Sequence, residues 1–360
     1  MGNEVTPPLV TFVLFAYNQE SFVRSAVEGA FGQTYSPLEI ILSDDASTDR
    51  TFLIMKEMMD AYRGAHKVVL HRTVHNQGVA HHVNTVIPLV SGSWIVTAAA
   101  DDVSLPNRVN HLMEAASKCS GVTALCSAWR NMDAKRRELA PDLDYQGRYG
   151  MTKITECKLG AQRFAFHGAA AAWRRELYTA FAPLNADVMH EDLVLTFRAL
   201  LCGSILALPD VLVCYRRWGG NTSAGADVRG KPLRKQAAAR EERSARWSRA
   251  LAAAYRQMEV DLKTPNYFRK ELNAQESVRI ANDLKFLIDT HAWRADWWKY
   301  SFPHRVLLVA RQSCLSQICR ETGLWMLPRI FGLRFYTCLF VAATVVKRSI
   351  WRGNDSAKKS

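Results

Sequence analysis

Four short, mostly apolar runs separated by helix-length intervals constrain this chain more than any other feature. Leu9–Phe15, Leu38–Ser43, Lys67–Arg72 and Trp94–Thr97 are rich in β-formers and lack the strict alternation of a half-exposed strand. Such runs mark strands covered on both faces. Between them Glu20–Phe31, Thr51–Tyr62 and Val79–Val90 read as helices. Strand and helix in alternation give βαβ units, a parallel sheet and an α/β fold.

Ligands of such sheets bind beyond the carboxyl ends of the strands. Tyr17-Asn18 follows the first strand, Asp44-Asp45 the second and Asp101-Asp102 the fourth. Adjacent side chains diverge, so an Asp-Asp pair at a strand end is ill suited to two-carboxylate acid–base chemistry. It suits a hard divalent cation, with one oxygen as ligand and the other fixing waters or a hydroxyl. The competing role for Asp101-Asp102 is a helix N-cap, since a helix is expected from about Leu105 with Pro106 in its first turn. For Asp44-Asp45 it is an Asx turn. Neither a GxGxxG after the first strand nor a Walker A motif occurs, which argues against dinucleotide and P-loop enzymes. With no glycine loop, a bound diphosphate would need a metal to neutralise it.

Composition enters through charge. The 360 residues hold 47 Lys+Arg against 34 Asp+Glu, a net +13 that attracts polyanions such as anionic lipid, nucleic acid or phosphorylated substrates. Many of these charges sit in the last third. Eight cysteines show no CxxC pairing and fall among apolar residues, as reduced thiols do, which favours a cytoplasmic location. Met1–Pro8 has neither a basic nor an apolar signal region, so no signal peptide is expected. His66, His71, His75, His81 and His82 crowd one region, but their spacing places no pair on one helical face with a Cys nearby. Structural or surface roles are expected for them, although His82 has a position from which it would face the cleft.

Farther along, Val122–Ala128 reads as a fifth strand and residues 132–155 as a polar excursion. Small residues after Gly168 allow close backbone approach to a ligand, and Trp173 fits either that site or the core. Glu191-Asp192 opens an amphipathic helix ending near Cys202, where acidic residues also suit the helix dipole. From Lys231 the chain turns basic, with a helix expected to Arg256 carrying Trp247 and Tyr255. Helices are expected at Phe268–Thr290, His304–Arg320 and Pro328–Lys347; the apolar part of the last is shorter than the roughly 20 residues a membrane span needs. It reads as an interfacial helix on an anionic bilayer or as a lid on the catalytic half.

Several motifs in order resemble glycosyltransferase family 2: Phe15-Ala-Tyr-Asn-Gln-Glu20, Gln33-Thr-Tyr35, Asp44-Asp-Ala-Ser-Thr-Asp49, Asn76-Gln-Gly78, Asp101-Asp102 and Glu191-Asp192. The resemblance covers roughly residues 9 to 223. It implies a GT-A fold, a Rossmann-like, mostly parallel sheet flanked by helices, here with a C-terminal helical extension. It also implies a nucleotide-sugar donor, a divalent metal (Mg²⁺ or Mn²⁺) and inversion at the anomeric carbon. On this resemblance Ala16, Tyr17, Asn18, Glu20, Asp44, Asp45, Asn76, Gly78, Asp101, Arg216 and Arg217 belong to the donor site. Asp45 accepts the uracil N–H, Asp101 lies on the ribose side, and Asp102, with Asp101, approaches the metal. Asp192 is the general base, with Glu191 its neighbour or second choice.

This chain departs from the pattern in four places. Ala46 replaces a usual Gly, Val83 stands where many members carry Arg, and Trp218 replaces a usual His. Cys214 sits where processive synthases have Gln, which favours single additions. The expected organisation is a catalytic domain over 1–225 (a nucleotide-sugar half to about 130, an acceptor half to 225), a basic helical region over 226–353 and a disordered tail over 354–360. The expected function is sugar transfer from a UDP- or dTDP-sugar to a saccharide or lipid-linked acceptor in surface polysaccharide or lipopolysaccharide synthesis, in the cytoplasm and peripheral at the inner membrane face. The alternatives are a basic nucleic-acid- or membrane-binding α/β protein, disfavoured as a nucleic-acid binder because carboxylates line the expected cleft, and a nucleotidyltransferase, disfavoured because no Gly-rich basic loop follows the first strand.

Overall fold

The computed structural model describes residues 6–139, 149–156, 159, 166–219, 233–264 and 272–296. Two compact units emerge, Met1–Trp218 with Ala250–Ile288, and Gly219–Arg249 with Asp289–Ser360. The first unit thus includes residues 250–288. The two helices expected after residue 300 lie outside the described residues.

In chain order the elements are β1 (Val10–Ala16), α1 (Val23–Phe31), β2 (Leu38–Asp44), α2 (Thr51–Ala61), β3 (Lys67–Arg72), α3 (Val79–Val86) and β4 (Trp94–Ala99). There follow β5 (Val103–Ser104), α4 (Arg108–Lys118), β6 (Val122–Met132), β7 (Gly150–Lys153), β8 (Ala171–Arg174) and α5 (Glu176–Thr179). Last come α6 (Glu191–Cys202), β9 (Ser204–Arg216), α7 (Leu233–Leu262) and α8 (Ala274–Ala295). One sheet runs β3-β2-β1-β4-β8-β6-β9-β5, with β7 on β9. Strands β3, β2, β1 and β4 are parallel, β8 inserts antiparallel between β4 and β6, and β6 and β9 are again parallel.

Alternate residues feed two cores. Phe12, Leu14, Ile40, Leu42 and Leu112 pack on one face, while Val13, Ile41, Ile95, Trp173 and Leu200 pack on the other. Strands covered on both faces need no polar alternation, which is why β1 and β2 read as continuous apolar runs. Trp173 is fully buried, so of its two expected roles the core one holds.

Element starts differ where side chains or edges compete with the helix. α1 begins at Val23 rather than Glu20 because Glu20 Oε2 accepts the Arg50 amide at 2.9 Å and a turn closes from Phe22 N–H to the Gln19 carbonyl at 2.9 Å. α4 begins at Arg108 rather than Leu105 because Val103–Ser104 pairs with β9 and the Leu105 amide donates to the Leu212 carbonyl at 2.9 Å. Among the described residues Cys119, Cys126, Cys202 and Cys214 are free thiols.

Candidate functional site

Strands β2, β1 and β4 end level with one another, since Ala16 pairs with Asp44 and Phe15 with Ala99. The loops leaving them meet at one sheet edge, and β1 is the strand at which the order reverses.

The loops after β1 and β2 are stitched together by their own motif residues. Asn18, in the left-handed region at φ 51°, accepts the Thr48 amide on Oδ1 at 2.9 Å, and its amide donates to Ser47 Oγ at 2.8 Å. Gln19 N–H donates to Thr51 Oγ1 at 2.7 Å, and Glu20 N–H to Asp49 at 3.1 Å. Burial raises the Asp49 carboxyl, but hydrogen bonds from Thr51 and from the Glu20 amide prevail and hold it below its usual range. Asp44 is fully buried; it accepts from the Ser47 amide at 2.9 Å and from Ser47 Oγ, and pairs with Arg72 Nε at 3.2 Å. Ala46 sits at φ 55°, which explains why glycine is the usual residue there. Asp45 Oδ1 accepts from Thr73 Oγ1 at 2.9 Å. The Tyr17 ring is exposed. Asn76 Oδ1 accepts the Gly78 amide at 3.0 Å, and Gly78 takes φ 88°, so its glycine is a backbone requirement.

Beneath Asp45 lies an imidazole pair. Ser43 Oγ bonds His71 Nδ1 at 2.9 Å and His82 Nε2 at 2.6 Å. Burial lowers both imidazoles, His82 to about 4 although the Asp45 charge opposes it. His82 packs edge-on to Phe15 and is a buried part of the floor. Among the described residues no group of three His, Cys, Asp or Glu side chains is placed to hold a metal by itself.

The Asp101-Asp102 pair is held from β9. Arg216 N–H donates to Asp102 Oδ1 at 2.7 Å, and Arg216 Nε to the Asp101 carbonyl at 2.7 Å. Trp218 Nε1 donates to Asp101 Oδ2 at 2.8 Å while its ring meets Phe22 edge-on. Asp102 Oδ2 is buried and has no hydrogen-bond partner. Burial, and then the charge of Asp101, push the Asp102 carboxyl well above its usual range; burial also raises Asp101, against the Trp218 bond. Behind them the fully buried Arg108 donates to Ser104 Oγ at 2.9 Å and to the Thr97 carbonyl at 2.9 Å; burial lowers its guanidinium to about 10.

One expectation needs correction here. Arg216 was assigned to the diphosphate, but it is 1% exposed and its Nη1 donates to the Asp133 and Ala134 carbonyls at 3.1 Å. It braces the aspartates from within. Arg217 is exposed, with its guanidinium 5.4 Å from the Tyr215 ring centre.

Glu191 and Asp192 form the first turn of α6. The Gly168 amide donates to Asp192 Oδ2 at 3.3 Å, and a Cβ on Gly168 would stand 3.1 Å from Glu191 Oε1. Thr97 on β4 donates to the Gly168 carbonyl and accepts from Trp173 Nε1 at 3.2 Å. A chain of bonds therefore runs from the strand carrying Asp101-Asp102 to the acid pair. Burial, and then the Asp192 charge, raise Glu191 to about 8. His167 feels both acidic groups: its ring meets Tyr215 edge-on and Trp129 at a tilt, burial lowers its pKa, and Asp192 and Asp101 both pull the other way. Sequence reading missed Thr97, Arg108 and Trp129 as site neighbours, because each is an ordinary residue until the sheet order places it; His167 belongs to the stretch that the family resemblance puts on the acceptor side.

Residues 11–181 match the model of Glycosyl transferase family 2. A Mycobacterium tuberculosis protein described as uncharacterized, Rv1520, is 27% identical over 214 residues, 58% of this chain and 58% of its own. The chain thus spans under two thirds of the length of that relative. The Escherichia coli UDP-Glc:alpha-D-GlcNAc-diphosphoundecaprenol beta-1,3-glucosyltransferase WfaP is 29% identical over 109 residues, 29% of this chain and 41% of that protein. Among solved structures, the mannosyltransferase PcManGT from Pyrobaculum calidifontis, in complex with GDP-Man and Mn²⁺, superposes with TM-score 0.52 at 17% identity, covering 93% of this chain and 88% of that one. At that identity the likeness concerns the fold, which is the expected GT-A architecture. The match to glycosyl transferase family 2 thus covers residues 11–181, a little under half of the chain.

Proposed function

We propose that this chain is an inverting glycosyltransferase that moves a sugar from a nucleotide-diphosphate sugar, with a UDP- or dTDP-sugar favoured, to a hydroxyl of a saccharide or lipid-linked saccharide in surface polysaccharide or lipopolysaccharide synthesis. The observation that carries the reading is the orphaned, buried Asp102 Oδ2 at the switch-point edge, beyond the strand whose Thr97 bonds Gly168 and through it reaches Asp192. An unpartnered buried carboxylate oxygen is costly unless a cation completes it. Asp102 fits Mg²⁺ or Mn²⁺, with Asp101 beside it; such an ion, when bound, supplies positive charge to the leaving diphosphate.

The chain's own groups do the rest. Tyr17 offers an exposed ring to the nucleobase and Asp45 a carboxylate for its N–H. Arg217 supplies the cation for the diphosphate that Arg216, turned inward, does not. Asp192 takes the proton of the acceptor hydroxyl as that oxygen attacks the anomeric carbon. Glu191, raised to about 8, is protonated at neutral pH, so the pair presents a single base. WfaP, by its name a β-1,3-glucosyltransferase using UDP-Glc, supports the donor class, and PcManGT, solved with GDP-Man and Mn²⁺, supports the metal.

The second unit supports a place at the cytoplasmic face of a membrane. Arg243, Arg246 and Trp247 are exposed at i, i+3 and i+4 of α7, one helical face bearing both charge and an interfacial ring. No helix among the described residues is long and apolar enough to cross a bilayer.

A panel of UDP-, dTDP- and GDP-sugars, assayed for nucleoside-diphosphate release with saccharide and lipid-linked acceptors, tests the reading. Release with one donor class, abolished by EDTA and restored by Mn²⁺ or Mg²⁺, is expected. Asp192→Asn should lose release yet keep donor affinity. A panel with no release at all would sink the proposal. Arg243→Ala/Arg246→Ala should weaken co-sedimentation with anionic liposomes, and unchanged binding would remove the membrane placement.

A further inference from the structure

The helix that carries the acid pair is anchored by a residue far beyond the matched domain. Asp261, on α7 and fully buried, accepts Arg198 Nε at 2.7 Å and Arg198 Nη2 at 3.1 Å, a bidentate pair with a residue two turns into α6. Its Oδ1 also accepts Gln257 Nε2 at 3.0 Å. Both partners then reach the loop that leads into Glu191-Asp192. Arg198 Nη2 donates to the Ala182 carbonyl at 2.8 Å, and Gln257 Oε1 accepts the Asn185 amide at 3.0 Å. Between these points Asn84 on α3 grips Leu184 twice, at 2.8 Å to its carbonyl and 3.0 Å from its amide. All three of Arg198, Gln257 and Asp261 are buried.

We infer that Asp261 and Gln257 are positioning residues for the proton-accepting carboxylate: Asp261 is the hub that fixes both α6 and the loop over residues 182–190, and so sets where Asp192 stands. The inference rests on the transferase reading for its consequence, though not for its geometry. An ion pair serves here better than apolar packing because it is directional. The planar guanidinium fits one carboxylate in one orientation, and two of its three remaining N–H groups go to the Leu177 and Ala182 carbonyls. Gln257 extends the same carboxylate's reach to Asn185 without adding charge. A base displaced by even about 1 Å loses on the order of a hundredfold in rate, so such a brace has a kinetic consequence.

The full-length chain with Gln257→Leu, which keeps the volume and the ion pair but frees the Asn185 amide, is the sharp test; Asp261→Asn is the stronger one. Hydrogen exchange is read at residues 184–192 and, as control, at 44–49, together with UDP affinity and kcat and KM for the donor. In Gln257→Leu, exchange at 184–192 should rise about tenfold or more while 44–49 is unchanged. Its kcat should fall about tenfold, with UDP affinity and donor KM within about twofold. Asp261→Asn should move the same quantities further, with a lowered Tm. Unchanged exchange at 184–192, or faster exchange with kcat per folded molecule within about twofold of wild type, overturns the inference. If the wild-type chain turns over no donor, the transferase reading fails, while the exchange data still decide whether Asp261 and Gln257 hold the loop.

Discussion

Two Asp-Asp pairs end neighbouring halves of the same sheet, and they are in opposite states. Asp44 is satisfied on both oxygens by Ser47 and Arg72, and Asp45 accepts from Thr73. Asp102 has one bond, from the Arg216 amide, and one buried oxygen with none, while Asp101 answers to Trp218. The dipeptide is identical and the strand-end position equivalent. What differs is whether the fold supplies every partner, and of the four carboxylates it is Asp102 that keeps a buried oxygen without one.

Substituting each pair in turn tests the contrast most strongly. Asp102→Asn replaces a buried carboxyl whose Oδ2 has no partner, so the metal-free Tm should hold or rise, stabilisation by Mn²⁺ with UDP should vanish, and transfer should fall about a thousandfold. Asp44→Asn should instead cost about 2 kcal/mol of stability and leave the Mn²⁺ response in place. Equal destabilisation by both would erase the distinction between them.

The acid pair on α6 extends the comparison to pH. Glu191 is raised from 4.5 to about 8 by burial and then by Asp192. A raised acid contributes stability that is complete below the unfolded value and lost as pH rises through the folded one. The window is therefore about pH 4.5 to 8. Glu191→Gln removes this loss, so the variant's Tm relative to wild type should climb by several degrees, on the order of 6 °C, across that window. A pH-independent difference would mean Glu191 ionises as freely as an exposed residue.

The smallest effect belongs to the satisfied pair's own loop. Ala46→Gly should stabilise the chain by about 0.5 kcal/mol, since relief of a left-handed alanine, about 1–2 kcal/mol, exceeds the added chain entropy of glycine. Chemical denaturation resolves a shift of that size, and a destabilised variant would show that the loop does not strain Ala46.

The parallel half of the fold was legible because β1, β2 and β4 are buried on both faces and say so in continuous apolar runs. The short strands β5, β7 and β8 were not, since two to four residues carry no period. At the site, the motif order put its loops at the carboxyl ends of β1, β2 and β4, where the strands end level, but could not show which side chains brace those loops. That Asn18 and Glu20 hold the neighbouring loop, or that Arg216 turns inward, depends on partners about 30 to 115 residues away. The anchoring of α6 by Asp261 was invisible for the same reason: Arg198 and Asp261 are 63 residues apart and neither belongs to a motif.

The Ser43 bridge has a consequence for proton bookkeeping at the end of β2. One hydroxyl carries one proton, yet Oγ meets the facing nitrogens of both His71 and His82. With both imidazoles neutral, one of them must donate to the serine while the other receives from it, so the two rings are forced into opposite roles at their shared contact. Shifting the proton on one ring obliges the hydroxyl to rotate and the other ring to change tautomer. Two histidines widely spaced in sequence thus behave as a single unit.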